Sequence, residues 1–181
     1  MILYIRHGQT DYNINNLWMG SIDTPLNDEG RAQAKNAAIE LSKIHLKKIY
    51  SSPLIRAYET AQIIAKQQCI TPEISILPGI QERCFGELEG TYKSLNARAN
   101  INFYSSVENK DLFKRRIMSS INSINKHENI LIVSHSAVFR CLIEELGYLT
   151  VPPSKNIKNC QIVKLKTPTS EIVTQIEESA F

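Results

Sequence analysis

The side chains best suited to chemistry are two histidines, two arginines and a glutamate, all following strand-like segments. Arg6-His7-Gly8 comes after one apolar run and Ser134-His135-Ser136 after another, while Arg56 and Glu82 follow two shorter ones. Guanidinium groups offer forked donors that match phosphate oxygens. Imidazoles can serve as nucleophile or charge stabiliser, and a carboxylic acid can protonate a leaving oxygen. The combination fits a dianionic group and indicates phosphoryl transfer.

The order of strands and helices decides whether these residues meet. Apolar periodicity predicts strands over residues 1–5, 48–51, 73–77, 129–134, 161–166 and 172–176, the last two edge-like. It predicts helices over residues 27–44, 54–67, 111–125 and 137–146. This alternation favours an α/β fold, a three-layer αβα sandwich with a mostly parallel central sheet and one antiparallel edge strand. Ligands of such sheets bind outside the carboxyl ends of the strands, where the candidate residues fall.

The length of 181 residues predicts a single domain over residues 1–181. The stretch 81–104 has no clear period and is expected to be irregular, with short helical pieces. Within the domain, residues 90–128 are predicted to form a short lid or insert, because the polar, Asn- and Ser-rich part of this stretch is suited to fold over a site.

Charge and hydropathy limit the partners. The net charge is only +3, from 21 Lys and Arg against 18 Asp and Glu, so no nucleic-acid partner is expected. The densest basic cluster, Lys114-Arg115-Arg116, is interpreted as a solvated helix face. No apolar run approaches the ~20 residues of a membrane helix, so no membrane partner is expected. A strand-like run begins at the second residue and leaves no room for a signal peptide, so a cytoplasmic location is predicted.

Cysteine spacing and the absence of known motifs argue against metal sites, nucleotide binding and a serine nucleophile. Cys69, Cys84, Cys141 and Cys160 lie far apart and are expected to be buried, reduced thiols, with disulfides as the lesser alternative. No metal site is predicted, because no histidine or cysteine pair has ligand spacing. The chain lacks the P-loop, the dinucleotide fingerprint and the nucleophile elbow.

The same residues carry a resemblance to a known family. The segment Arg6-His7-Gly8-Gln9-Thr10, with Asn13 six positions after the histidine, resembles the R-H-G-[ED]-[ST] signature of the histidine phosphatase superfamily, in its phosphoglycerate mutase-like branch (branch 1). Further matching blocks follow in the same order along nearly the whole chain, at residues 20–26, Ser51-Ser52-Pro53-Leu54, Arg56, Glu82, 133–135 and Asn159-Cys160.

The resemblance implies roles for individual residues. His7 would be the nucleophile that becomes phosphohistidine, and Arg6, Arg56 and His135 would hold the phosphoryl group. Glu82 would be the general acid for the leaving alcohol and then the base that activates water. Further candidates for binding phosphate or substrate are Asn13, Thr10, Gly8, Ser136, Arg83 and Lys93.

The expected function is a metal-independent phosphomonoesterase that forms a phosphohistidine on a small phosphorylated metabolite. Candidate substrates are α-ribazole phosphate, a phosphosugar or phosphoglycerate. No cofactor is expected, and monomer and homodimer both stay open. The alternative is a phosphoglycerate mutase, which would need priming by 2,3-bisphosphoglycerate. Mutases of this family carry a longer insert, so the short stretch 90–129 favours hydrolysis, whereas Arg83 and Lys93 are spaced as in the mutases. A protein phosphohistidine phosphatase and a non-catalytic module that binds phospho-ligands are further alternatives.

Overall fold

A computed structural model describes residues 1–168, so the strand predicted over 172–176 lies outside the described residues. The central sheet has six strands in this part of the chain, in the order β3-β2-β4-β1-β6-β5. Their bounds are β1 Ile2–Arg6, β2 Lys48–Ser51, β3 Glu73–Ile76, β4 Ile130–Ser134, β5 Leu149–Val151 and β6 Ile162–Lys166. The first four pair in parallel, whereas β6 runs against both β1 and β5.

Helices cover both faces of the sheet. They are α1 Asp11–Ile14, α2 Asp28–Leu41, α3 Ile55–Lys66, α4 Leu95–Ala99, α5 Lys110–Asn122 and α6 Ser136–Arg140, which continues as a π-helical turn over Cys141–Glu145. Short 3-10 turns lie at Pro78–Ile80, Gly86–Leu88 and Ile101–Phe103. Helices α2 and α3 pack on the face that carries Leu3 and Ile5, and α5 and α6 pack on the face that carries Ile2 and Tyr4. Alternate side chains of β1 are therefore buried on opposite faces, as in a sheet covered on both sides.

The predicted fold class is confirmed, with differences at the sheet edge. Strand β5 was not predicted, because its three residues are too few to show alternation and Pro152 follows at once. Since β5 forms the edge, the antiparallel strand β6 lies one position inside it and not at the edge itself. No described helix is both long and apolar enough to cross a membrane.

Two interpretations of surface and thiol residues are wrong in part. The four cysteines are free thiols, but Cys69 is exposed and only Cys141 is fully buried. Arg116 does not belong to a solvated helix face. It lies on α5 and points inward, with its side chain only 22% exposed and paired with Glu108. Helical periodicity predicted α5 correctly but could not tell which of its polar residues meets the half-buried carboxylate of Glu108.

Candidate active site

Strand register brings the two predicted histidines together. Strands β1 and β4 pair in parallel with Arg6 opposite Ser134, so the next residue of each strand lies at the same sheet edge. The backbone N–H of His7 donates to the Ser134 carbonyl at 3.0 Å. The rings of His7 and His135 lie 5.2 Å apart between centroids, and both residues are buried. The convergence expected of parallel strand ends therefore occurs at this edge.

The surroundings of His7 fix its protonation. Its Nδ1 lies 2.7 Å from the Gly8 carbonyl. Because a carbonyl only accepts, we infer that Nδ1 carries the hydrogen and that Nε2 keeps a free electron pair. Burial, and then the nearby charges of Arg56 and Arg6, lower the pKa of His7 well below its usual value. His7 is therefore a neutral imidazole at pH 7, with Nε2 available as a nucleophile.

Gly8 and Thr60 hold the backbone behind this imidazole. The Gly8 N–H donates to the Thr60 hydroxyl at 3.1 Å. A Cβ on Gly8 would stand 2.4 Å from the Gly30 carbonyl oxygen, closer than side chains pack, so only glycine fits here. Gly8 does not line the cavity of the site, which is described below. It acts on the site by orienting His7.

Arg6 and Arg56 present guanidinium donors to the same place. Arg56 is fully buried, and its Nη1 and Nη2 donate at 2.8 Å to the carbonyls of Ile22 and Gly20. Arg6 donates from Nη1 to the Ile157 carbonyl at 3.2 Å. Burial lowers the pKa of Arg56 to about 10, which leaves it charged at pH 7. Both arginines line the cavity.

His135 is held from two sides. Its backbone N–H donates to the Tyr4 hydroxyl at 3.1 Å, and that hydroxyl donates to the His135 carbonyl at 2.6 Å. Its Nε2 lies 2.7 Å from the Ser52 hydroxyl oxygen, which already accepts from the Leu54 N–H. We infer that Ser52 gives its own hydrogen to Nε2, so the imidazole proton sits on Nδ1.

Three buried nitrogens of the candidate residues lack a hydrogen-bond partner among the described residues: Arg6 Nε, Arg56 Nε and His135 Nδ1. A buried donor without an acceptor costs about 1–3 kcal/mol, more when it is charged. Such groups are rare in native structures, and a bound ligand or a catalytic role is one explanation for them. Donors on two arginines of the cavity, and on a histidine whose ring lies 5.2 Å from that of His7, fit the oxygens of a phosphoryl group.

Glu82 faces the cavity from the loop after the turn Pro78–Ile80. It is 8% exposed, and its Oε1 accepts from the N–H groups of Arg83 at 3.1 Å and Ala137 at 3.2 Å. Its Oε2 makes only a 3.5 Å contact with the Ala137 N–H. One carboxyl oxygen is therefore anchored and the other is left for proton exchange with a substrate.

Thr10 and Asn13 form the start of α1. The Thr10 hydroxyl caps the helix at the Asn13 N–H, while the Thr10 N–H donates to Asn13 Oδ1 at 3.1 Å. Asn159 Nδ2 donates to the same Oδ1 at 3.2 Å and to the His7 carbonyl at 2.9 Å. With Oδ1 occupied, the Asn13 amide N–H₂ remains for a ligand, and Asn13 lines the cavity. Thr10 is fully buried and acts through Asn13.

The remaining predicted residues line the cavity, which has a volume of about 320 Å³. Ser136 lies at the first position of α6. Arg83 holds its Nε and Nη2 on the Glu108 carbonyl, at 2.9 and 2.7 Å. The Lys93 Nζ lies 5.7 Å from the centroid of the Trp18 ring. Burial, and then the charge of Arg6, lower the pKa of Lys93 to about 8.

Several cavity residues were not predicted: Trp18, Met19, Phe85, Arg98 and Arg140. Arg140 stands four residues after Ser136 on α6, so the helical repeat that places Ser136 in the cavity could have found it. Asn159 was noted in the sequence but not as a site residue. Arg98 lies in a stretch without periodicity, where no sequence signal points to the site.

The half-buried side chain of Arg116 braces the Glu82 loop. Arg116 donates from Nη1 to the carbonyls of Gly79 and Gln81, at 2.7 and 2.9 Å, and from Nη2 to the Glu82 carbonyl at 3.0 Å. Its Nε and Nη2 form a fork with the Glu108 carboxylate, at 2.6 and 2.9 Å. All five guanidinium hydrogens therefore have an acceptor. The loop that carries Glu82 is tied to α5 through this single side chain.

A buried imidazole and two guanidiniums at one cavity, with a second histidine and a carboxyl group on an αβα sandwich, fit a phosphoryl-transfer site. The chain belongs to the histidine phosphatase superfamily (branch 1), whose family model matches residues 2–175. Among the described residues, no group of three His, Cys, Asp or Glu is placed to hold a metal ion.

Individual relatives carry phosphatase and mutase names. A metal-independent phosphoserine phosphatase of Arabidopsis thaliana is 32% identical, over 78% of this chain and 66% of that protein. A 2,3-bisphosphoglycerate-dependent phosphoglycerate mutase of Thermoplasma acidophilum is 33% identical, over 95% of this chain and 90% of that one. The solved alpha-ribazole phosphatase of Shigella flexneri superposes with a TM-score of 0.73 at 24% identity, over 93% of this chain and 96% of that one, and so shares the fold.

Proposed function

We propose that this protein is a phosphomonoesterase that acts through a phosphohistidine at His7 on a small phosphorylated metabolite. The observation that carries the proposal is that Arg6, Arg56 and His135 each hold a buried nitrogen without a hydrogen-bond partner among the described residues. Arg6 and Arg56 line one cavity with His7, and the His135 ring lies 5.2 Å from the His7 ring. Their donors match the three equatorial oxygens of a phosphoryl group in transfer.

The first step is an in-line displacement at phosphorus. The Nε2 electron pair of His7 forms the N–P bond while the ester P–O bond breaks, and Glu82 gives its proton to the leaving alcohol oxygen. Arg6, Arg56 and His135 stabilise the charge on the phosphoryl oxygens while the group is transferred from the ester oxygen to Nε2. Positioned electrostatic donors of this kind supply most of the rate of phosphoryl transfer.

In the second step Glu82 acts as a general base. The Glu82 carboxylate takes a proton from a water molecule, whose oxygen forms a P–O bond while the N–P bond breaks. Inorganic phosphate leaves, and His7 recovers its free Nε2. Two in-line steps through a covalent intermediate replace one direct attack of water on a dianion.

Whether the enzyme hydrolyses its substrate or isomerises it, as a mutase does, depends on the residues that cover the site. The short stretch after Glu82 favours hydrolysis, because it offers little chain to keep water from a phosphoenzyme. Length alone does not separate the two activities, since the mutase of Thermoplasma acidophilum is covered to 90% by this chain. The mutase is therefore the second candidate. We expect phosphate release from 3-phosphoglycerate to exceed isomerisation, with or without 2,3-bisphosphoglycerate.

The substrate class is a small metabolite ester. The names of the relatives support testing phosphoserine and α-ribazole phosphate first, followed by phosphosugars and phosphoglycerate. We also propose a cytoplasmic location, which suits the four free thiols.

Trapping of the intermediate tests the proposal. The protein is mixed with a ³²P-labelled phosphomonoester, quenched in alkali and assayed for acid-labile label on the chain. We expect label on the wild-type protein and on His127→Ala, whose histidine is exposed, and none on His7→Ala. Binding without labelling would instead support a phospho-ligand module, and label that survives His7→Ala would contradict the assigned nucleophile.

A further inference from the structure

The orientation of Arg56 depends on the loop 20–22, which carries both acceptors of its guanidinium. Nη1 donates to the Ile22 carbonyl and Nη2 donates to the Gly20 carbonyl, each at 2.8 Å. No carboxylate within residues 1–168 forms an ion pair with this arginine. A side chain that holds the loop therefore also holds the guanidinium, including its Nε, which has no acceptor among the described residues.

Glu89 is the side chain that anchors this loop. Its Oε1 accepts from the N–H and from the hydroxyl of Ser21, both at 2.9 Å, and its Oε2 accepts from the same hydroxyl at 2.9 Å. Oε1 also accepts from the Phe85 N–H at 2.8 Å, which fixes the carboxylate on its own segment. The carboxylate therefore ties the middle of the loop to the segment 85–89.

The loop and the Glu89 segment approach each other closely. Gly20 has a φ of +53°, and a Cβ at this position would overlap the Glu89 carboxylate, so the contact requires a glycine. Backbone bonds hold the two segments together, since the Gly90 N–H donates to the Trp18 carbonyl at 2.8 Å and the Trp18 N–H donates to the Thr91 carbonyl at 2.9 Å. The position of Glu89 beside the loop is therefore set by the backbone of both segments.

The residue that follows the loop is anchored at the start of α3. Asp23 Oδ1 accepts from the Ile55 N–H at 2.7 Å, one residue before Arg56. Burial lowers the pKa of this arginine to about 10, whereas the nearby carboxylates of Glu82, Asp23 and Glu89 raise it. Glu89 is therefore close enough to favour the charged form of Arg56 as well as to hold its acceptors.

We propose that Glu89 is a positioning residue for phosphoryl transfer, which acts on Arg56 through the loop 20–22. The inference rests on the proposed function, in which Arg56 binds the transferred phosphoryl group. Glu89 does not line the cavity, so its effect on the reaction passes through the loop. Without the carboxylate, Ser21 loses its acceptors, and the two carbonyls that hold the guanidinium are free to move. A displacement of about 1 Å in such a group can cost about 100-fold in rate.

A double-mutant cycle tests this route. The measured quantity is kcat/KM for p-nitrophenyl phosphate, whose leaving group needs no proton from an acid, at a temperature well below each Tm. Glu89→Ala should lower it about 10- to 100-fold. Glu89→Gln should keep most of the activity, because its amide oxygen can still accept from the Ser21 and Phe85 N–H groups. In the Arg56→Gln protein, Glu89→Ala should cost less than about twofold, because the guanidinium that it positions is gone.

The control variant is Glu87→Ala, an exposed glutamate on the turn Gly86–Leu88 and outside the cavity, which should keep the wild-type kcat/KM. A loss below about twofold in Glu89→Ala overturns the proposal. An equal loss with and without Arg56 also overturns it, because Glu89 would then support the fold and not the arginine.

The NMR signal of the Arg56 Nε–H provides a second readout that needs no turnover. This signal is identified by its absence in Arg56→Gln. It should shift or broaden in Glu89→Ala and stay in place in Glu87→Ala, and an unchanged signal in Glu89→Ala would overturn the proposal. If the wild-type protein hydrolyses no phosphomonoester, the proposed function fails, and the NMR signal still decides whether Glu89 holds Arg56. If hydrolysis depends on His7 but not on Glu89, only the positioning role fails.

Discussion

Substitution of Arg116 tests how Glu82, the proposed general acid, is positioned. This side chain ties the Gly79, Gln81 and Glu82 carbonyls to the Glu108 carboxylate, using all five of its hydrogens. Arg116→Met removes the charge and every one of these bonds while keeping an apolar chain of similar length. Arg116→Lys keeps the charge, but an ammonium has only three hydrogens and cannot form the fork.

The expected loss of stability follows from those contacts. Each hydrogen bond is worth about 0.5–1.5 kcal/mol, and those to a charged group about 1.5–3 kcal/mol. The Arg116 and Glu108 side chains are 22% and 18% exposed, so water replaces part of what is lost. We therefore expect Arg116→Met to lower the free energy of unfolding by about 2–3 kcal/mol. For a domain of this size that is a fall in Tm of about 4–12 °C.

The catalytic effect should depend on the leaving group. A displacement of about 1 Å at Glu82 can cost about 100-fold in rate where its proton is needed. An alkyl phosphate needs that proton, whereas p-nitrophenolate leaves without it. Arg116→Met should lower kcat/KM about 100-fold for glycerol 3-phosphate and less than about tenfold for p-nitrophenyl phosphate, with Arg116→Lys between it and wild type.

The assay is steady-state kinetics on both substrates at a temperature well below each Tm, with Arg115→Met as the exposed neighbour for comparison. Equal losses on both substrates would mean that Arg116 supports the fold and does not position Glu82. A Tm like that of the wild-type protein would refute the contact argument itself.

Three further outcomes follow from the site. First, Arg56→Gln should lower kcat by roughly 10²–10³, measured with p-nitrophenyl phosphate, because a preorganised donor to the phosphoryl oxygens is lost; a loss below tenfold would remove Arg56 from the cradle. Second, burial lowers the pKa of His7 and of His135. The unfolded chain therefore takes up protons at a higher pH than the folded protein, and the free energy of unfolding should fall as the pH drops below about 6.5. The value of kcat/KM should stay constant through that range, because both histidines remain neutral in the folded protein. Chemical unfolding and steady-state kinetics from pH 8 to 5 measure the two quantities. Third, inorganic phosphate at 100 times its Kd should raise Tm by about 5–10 °C in a thermal melt, and Arg6→Met should abolish most of that rise; an equal rise in both proteins would place the anion elsewhere.

The sequence suffices to predict the meeting of His7 and His135. Each histidine follows a continuous apolar strand, and parallel strands end at one edge, so the chemistry can be placed before any distance is known. Gly8 was predicted to bind phosphate or substrate, but it does not line the cavity. A glycine is needed there because the Gly30 carbonyl lies too close for a Cβ, a contact that the sequence does not show.

Contacts between irregular segments escape this reasoning. Trp18 and Lys93 lie close together because Leu17 and Tyr92 form an isolated β-bridge. The apolar periodicity of the sequence gives no sign of this bridge. The helical pattern predicts a surface position for Arg116, because it contains no information on its partners, three loop carbonyls and Glu108. Strand β5 is three residues long and leaves no alternation to detect.

The ring nitrogen of His7 that carries phosphorus is the most direct test of the proposed phosphohistidine. The Gly8 carbonyl holds the hydrogen on Nδ1, at 2.7 Å, and leaves Nε2 to attack phosphorus. ³¹P NMR of the alkali-quenched phosphoprotein distinguishes the two isomers of phosphohistidine. We expect phosphorus on Nε2 of His7; phosphorus on Nδ1, or turnover of phosphomonoesters without any phosphohistidine, would contradict the proposed mechanism.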